Sequence, residues 1–89
     1  MKELSPVLLE LFVQSNSSVL AEIEEDVRHR RFGHASQKAH AIRGSALLAR
    51  AHDVSQATSS LMEMLAAEDA DAALSFANEL REKVLSFVR

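Results

Sequence analysis

Apolar residues recur along this chain every three or four positions, the spacing that lines one face of a helix. Leu20, Ile23 and Val27 alternate with Glu22, Glu24, Glu25 and Asp26, predicting a helix with one buried and one solvated face. Ala35, Ala39, Ile42, Ala46 and Ala49 form a second stripe of mostly small residues, which let a neighbouring helix approach closely. Val54, Ala57, Leu61 and Leu65 form a third, with Ser55, Gln56, Ser59 and Ser60 facing outward. Ala73, Phe76, Ala77, Leu80, Val84 and Phe87 form the last, across from Glu79, Glu82 and Lys83.

Local chemistry suggests the boundaries. Leu4, Ser5 and Pro6 read as a helix start, with Ser5 as N-cap and Pro6 at the first helical position, where a missing N–H costs nothing. A short first helix is expected to about Gln14, with Asn16, Ser17 and Ser18 interrupting the pattern and capping the second. Gly33 is the expected stop of that second helix, and the third runs on to near Arg50. Asp53 with Gln56 reads as the N-cap pair of the next helix, and Asp69 or Asp71 as the cap of the last.

Helices joined by so few residues pack as antiparallel neighbours. The predicted fold is all-α: an up-down-up-down four-helix bundle, with a short additional N-terminal helix covering one end. The 89 residues suffice for one domain, 1–89, with no internal repeat. Two Gly, one Pro and 4% aromatic residues suit Ala- and Leu-rich helices better than sheets. With no cysteine, thiol catalysis, disulfides and cysteine-bound zinc are excluded, and a reducing cytoplasm suits the chain. The net charge of −3 argues against nucleic acid as a partner despite Arg28, Arg30 and Arg31. No apolar run approaches the roughly 20 residues of a membrane span, and Glu3, Pro6 and Glu10 stand where a signal peptide would be apolar, so no direct membrane contact is expected. No helix shows a second long apolar stripe, which leads to the expectation of a monomer.

None of this indicates a function; two residues of the third helix do. His40 lies off the apolar stripe, and Gly44 sits inside a helix, where glycine costs about 0.5–1 kcal/mol relative to alanine. The two are four residues apart and share a face, so Gly44 clears space beside the imidazole. Arg43 is placed to offer guanidinium donors to a group carried on the ring. Ser36, His40, Arg43, Gly44, Leu47 and Arg50 make one exposed stripe, and Ser36, Gln37, Leu47, Arg50 and Gln56 are the candidate partner-binding residues. Phosphoryl transfer asks mainly for positioning and charge stabilisation, so an accessible imidazole beside a cation suffices. The stretch holds no carboxylate for a metal ion. An acidic, metal-loaded pocket must then come from the partner, complementary to Arg43 and Arg50.

The run His40-Ala41-Ile42-Arg43-Gly44-Ser45 resembles the signature of the histidine phosphotransfer (HPt) family: histidine, any residue, Leu or Ile, Lys or Arg, Gly, then a small residue. Phe32 eight residues earlier, Ala39 directly before the histidine and Ala51 eleven after it also fall where similar domains place comparable residues. The resemblance implies phosphorylation of His40 on Nε2, Arg43 near the phosphoryl group, and as partners the receiver domains of response regulators and of a hybrid sensor kinase, which bring the Mg2+. Similar domains often have Gly directly before the alanine at 51; Arg50 departs from this and bears on where the third helix ends. In some relatives a polar side chain of the next helix bonds the imidazole, a place open to Gln56 or Ser59.

Other readings stand beside this one. His29, His34 and His52 lack such a context and read as solvent-exposed; His29 and His34 have no third ligand with which to hold a metal. Met62 and Met64 read as gap fillers of the core or its margin. A kinase would want an acidic neighbour for its histidine and a nucleotide loop, whereas this chain has Ala41 and no glycine-rich loop. A carrier without an ATP site is therefore expected. The alternatives are the phosphoacceptor domain of a chemotaxis-type kinase, for which Glu63 is the available carboxylate, and an interaction module that is never phosphorylated.

Overall fold

The computed structural model describes residues 5–87, and these form four helices: α1 Pro6–Arg28, α2 Phe32–Leu48, α3 His52–Ala66 and α4 Ala70–Ser86. Each helix contacts its neighbours in sequence, and α4 closes on α1. Contacts across α1 and α2 run in opposite chain directions: Asp26 meets Lys38 near one end, and Asn16 meets Ser45 further along. The α1–α4 seam likewise pairs Phe12 with Phe87, rings 5.0 Å apart, and Glu24 with Arg81 through two 2.8 Å hydrogen bonds.

The core lies along the shared axis and is built from the four predicted stripes. Leu20, Ile23, Val27, Ala35, Ala39, Ile42, Ala46, Val54, Leu61, Leu65, Ala73, Ala77, Leu80 and Val84 are buried, with Ala49, Ala57, Phe76 and Phe87 half-buried against them. Alanines at three of the four buried α2 positions after Phe32 keep that helix close to its neighbours. Thr58, inside the α3 stripe, is fully buried and donates its hydroxyl to the Val54 carbonyl at 2.6 Å, so burial costs it no unmade bond.

The N-terminal expectation requires correction. Ser5 caps α1, accepting from the Leu8 N–H at 3.1 Å, and Pro6 opens the helix; Leu4 lies outside the described residues. The short separate helix does not form, because α1 continues through Asn16, Ser17 and Ser18 to Arg28. Asn16 is buried at 3% exposure with its amide 3.5 Å from the Ser45 hydroxyl, so a tertiary partner takes the polar group that would otherwise favour a break. Met62 and Met64 pack half-buried against the core.

The three connections share one design. Arg30, Arg50 and Glu68 adopt left-handed backbone at φ 59°, 59° and 56°. In each, the following N–H bonds a carbonyl five residues back: Arg31 to Asp26 at 2.7 Å, Ala51 to Ala46 at 2.8 Å, Asp69 to Met64 at 3.1 Å. This is the Schellman closure, usually made with glycine. It corrects two expectations. Gly33 is not the stop, since Arg30 takes the left-handed position and Gly33 is the second residue of α2. Asp53 is not a cap, since Ala51 takes that place with no side-chain bond and Asp53 falls in the first turn of α3. Arg50 lies beyond the end of α2, in the strained conformation a glycine adopts freely. Asp69 caps α4 as expected, accepting from the Ala72 N–H at 3.1 Å. A left-handed L-residue costs about 1–2 kcal/mol, partly offset by glycine's greater chain entropy. Glu68→Gly, far from the candidate site, is therefore expected to raise stability by about 0.5–1 kcal/mol in urea unfolding; a loss would show that the Glu68 side chain contributes more than its backbone costs.

Candidate phosphoacceptor site

His40 sits midway along α2 and is exposed, while Ala39 and Ile42 beside it are buried and hold the helix against the core. The imidazole is thus presented from a rigid element. Gln37, Gly44, Leu47 and Arg50 are also exposed, and Ser36 is half-buried. The stripe read from the sequence is therefore one surface, with Arg43 half-buried along its edge.

Arg43 is distinguished by what it lacks. Its Nε is buried with no hydrogen-bond partner, and no ion pair reaches it among the described residues. Three other cations are neutralised: Arg31 Nε lies 3.0 Å and Lys38 Nζ 2.6 Å from the Asp26 carboxylate, and Arg81 forks onto Glu24. The hydrogen bond from Lys38 holds the Asp26 carboxyl below its usual range, against the opposing effect of burial and with further help from Arg31. The same bond holds the Lys38 ammonium above its own. Arg81 lowers Glu24 in the same way. A half-buried guanidinium with an unmade bond, three residues from an exposed imidazole, can donate to an anion at this face.

A methyl group built on Gly44 would meet nothing within 4 Å. Packing within the domain therefore does not require glycine, and the open space beside this exposed position faces outward. Gly44→Ala is expected to stabilise the free domain by about 0.5–1 kcal/mol and at the same time to slow phosphoryl exchange with a partner. Thermal unfolding and transfer rate measured on one preparation check this, and an unchanged rate would remove the clearance role.

The structure separates Gln56 from this surface. Gln56 lines a groove between α3 and α4 with Ala57, Ser60, Phe76, Glu79 and Lys83. Ser59 donates to the Ser55 carbonyl at 3.3 Å. Among the described residues no hydrogen bond joins His40 to Gln56, Ser59 or Glu63, and Glu63 is exposed. His29, His34 and His52 are all exposed, and His29 is also engaged with Glu25, 2.9 Å from its carbonyl and 3.2 Å from its carboxylate. No cluster of three His, Cys, Asp or Glu able to hold a metal occurs among the described residues.

Sequence reasoning missed the burial of Asn16 and the unpaired state of Arg43, which depend on how helices face one another. It also missed the exposure of Val7, Leu8 and Leu11 on the first turns of α1, for which the run of apolar residues from Val7 to Val13, broken by Glu10 alone, was the available signal.

An exposed histidine, a half-buried cation without an ion pair and a helix glycine thus lie on one bundle face. A family model of the Hpt domain matches residues 7–86. The chain belongs to the Hpt domain family. No curated protein and no solved structure matches it significantly. Hpt domains are helical bundles that serve histidine phosphotransfer in two-component signalling and interact with receiver domains. They are phosphotransfer carriers rather than kinases with ATP sites. This Hpt domain has no helix long and apolar enough to cross a membrane among its described residues.

Proposed function

We propose that this Hpt domain relays phosphoryl groups through His40. The Nε2 lone pair attacks the phosphorus of an aspartyl phosphate on a receiver domain, and the P–O bond to the aspartate breaks as the carboxylate leaves. The reverse attack by the aspartate of a response regulator completes the relay. Arg43 gives the phosphoryl oxygens the donors that are unused in the free domain, and Gly44 leaves room for the incoming pocket. Ser36, Gln37, Leu47 and Arg50 border the contact; Gln56, on the α3–α4 groove, would reach only a partner that extends over α3. Mg2+ comes with the receiver, which also supplies the acidic half of the site. The bundle is read as up-down-up-down, on the counter-running contacts across α1–α2 and α1–α4. The domain is read as a monomer working in the cytoplasm, free-standing or as part of a hybrid sensor kinase.

The observation that carries the proposal is the exposed His40 beside an Arg43 that has no anionic partner. The test is to incubate the domain with receiver domains phosphorylated by acetyl phosphate and Mg2+, look for acid-labile, alkali-stable phosphate on it, and chase that phosphate onto a second receiver. Label that enters and leaves supports the relay. No label from any receiver, with the fold intact, would favour direct phosphorylation by a kinase domain or a module that carries no phosphate.

A further inference from the structure

Where α2 gives way to α3, the end of α4 stands alongside, and the three segments border a cavity of about 550 Å3. Arg50 lines it from the α2–α3 turn, His52, Asp53 and Val54 from the first turn of α3, and Lys83 and Phe87 from the end of α4.

The α3 wall of this cavity carries donors with nothing to bond. Ala51 at the N-cap brings no side-chain oxygen, and Ser55 is the first residue of the helix whose N–H finds a carbonyl, that of Ala51 at 2.9 Å. The N–H groups of His52, Asp53 and Val54 have no acceptor among the described residues. Val54 is only 1% exposed. Its N–H is therefore a shielded donor at the cavity wall, and a buried backbone donor left without a partner is rare in folded proteins. Two cations reach the same cavity from different segments. Neither Arg50 nor Lys83 makes an ion pair or a side-chain hydrogen bond among the described residues.

These donors converge on negative charge. The dipole of the fifteen-residue α3 favours an anion at its start, and a guanidinium and an ammonium suit phosphoryl oxygens. The cavity is larger than a free phosphate fills and falls within the size range of sites for small organic ligands. The rest of its lining suits a hydroxylated body: the Asp53 carboxylate accepts from hydroxyls, the Ser86 hydroxyl donates or accepts, and the half-buried Phe87 ring offers an apolar wall. Asp53 is the one carboxylate of the lining, against two cations, so the site keeps a positive balance. We propose that this cavity binds a small phosphate monoester of a sugar or nucleoside. Its phosphoryl oxygens accept from the first-turn N–H groups of α3, from Arg50 and from Lys83, and its sugar hydroxyls donate to Asp53. The site is separate from His40 and requires no phosphoryl transfer.

The test follows the amide NMR signals of the full chain during titration with inorganic phosphate, ribose 5-phosphate, AMP and adenosine. The expected result is saturable movement of the His52, Asp53 and Val54 amides by the two esters, at half-saturation about tenfold below that of inorganic phosphate, and no movement by adenosine. R50G, which retains the left-handed turn, and K83Q should each raise the half-saturating ester concentration about tenfold, as loss of one charge-assisted bond does. R28Q on α1 should leave it unchanged. AMP binding more tightly than ribose 5-phosphate would identify a nucleotide as the ligand, and equal binding a sugar phosphate; both uphold the site. Inorganic phosphate saturating at the same concentration as its esters would mean an adventitious ion only and would overturn the proposal. Esters that leave the three amides unmoved at about 10 mM, or that bind the R50G/K83Q double variant as they bind wild type, would overturn it as well.

Discussion

His40→Gln is expected to take up no phosphate from any phosphorylated receiver, while wild type acquires acid-labile, alkali-stable label. The substitution removes the nucleophile and little else, because the side chain is exposed and makes no hydrogen bond among the described residues. Surface changes of this kind usually alter stability by within about 0.5 kcal/mol, so loss of label with an unchanged unfolding curve isolates the chemistry. Arg43→Ala separates rate from acceptor identity: label still forms, slowed by a factor on the order of 10²–10³, typical for loss of one positioned donor. Label persisting on His40→Gln would move the acceptor to another histidine, with His29, His34 and His52 all exposed.

The largest expected effect on stability is at Asp26. Its side chain is 4% exposed, between Arg31 and Lys38, which are 44% and 31% exposed. Breaking a fully buried ion pair costs about 3–5 kcal/mol. Here the two cations regain water when the carboxylate is removed, so Asp26→Ala is expected to cost about 2–3 kcal/mol, or roughly 10–20 °C in unfolding midpoint for a domain of this size. A drop of only a few degrees would show that the pair adds little beyond its own desolvation. The pH dependence follows from the direction of the shift. The folded carboxyl titrates below its unfolded value, so its stabilisation is present above the unfolded pKa of about 3.9 and is lost as pH falls through the folded value. Wild type should lose stability in acid below about pH 4 more steeply than Asp26→Ala. Lys38 acts at the other end: its stabilisation is present below its unfolded pKa of about 10.4 and is lost as pH rises through the folded value.

Much of this molecule was legible in its sequence wherever one residue's neighbours along the chain decide its fate. The stripes through Leu20, Ala39, Leu61 and Leu80 lie in the core because helical periodicity alone selects a face. Ser5 and Asp69 cap their helices through bonds within the next turn. Misreadings occurred where the decision lay elsewhere. Asn16, Ser17 and Ser18 look like a break until Ser45 is brought against Asn16 by the packing of α2 on α1. Gly33 and Asp53 look like a stop and a cap, but Arg30 and Ala51 occupy those positions once the Schellman bonds set the loop lengths. The candidate site divides in the same way. His40, Arg43 and Gly44 are neighbours on one helix and could be read from spacing. The missing partner of Arg43 and the position of Gln56 on another groove depend on which flank of α3 meets α2, which no single helix records.

The ring of contacts has a consequence for how the bundle assembles. Three of its four helix–helix interfaces join neighbours in sequence across turns that bond to themselves, so each helical hairpin can form from contacts close along the chain. Local contacts of this kind accompany rapid folding. The α1–α4 seam alone must gather residues as far apart as Phe12 and Phe87. Its closure carries the greatest loop entropy of the four, though that cost grows only slowly with loop length. The Phe12–Phe87 contact and the Glu24–Arg81 fork therefore belong to the step that closes the ring. Weakening them should leave the hairpin turns, and α2 with His40 between α1 and α3, intact while delaying the closure of α4 on α1.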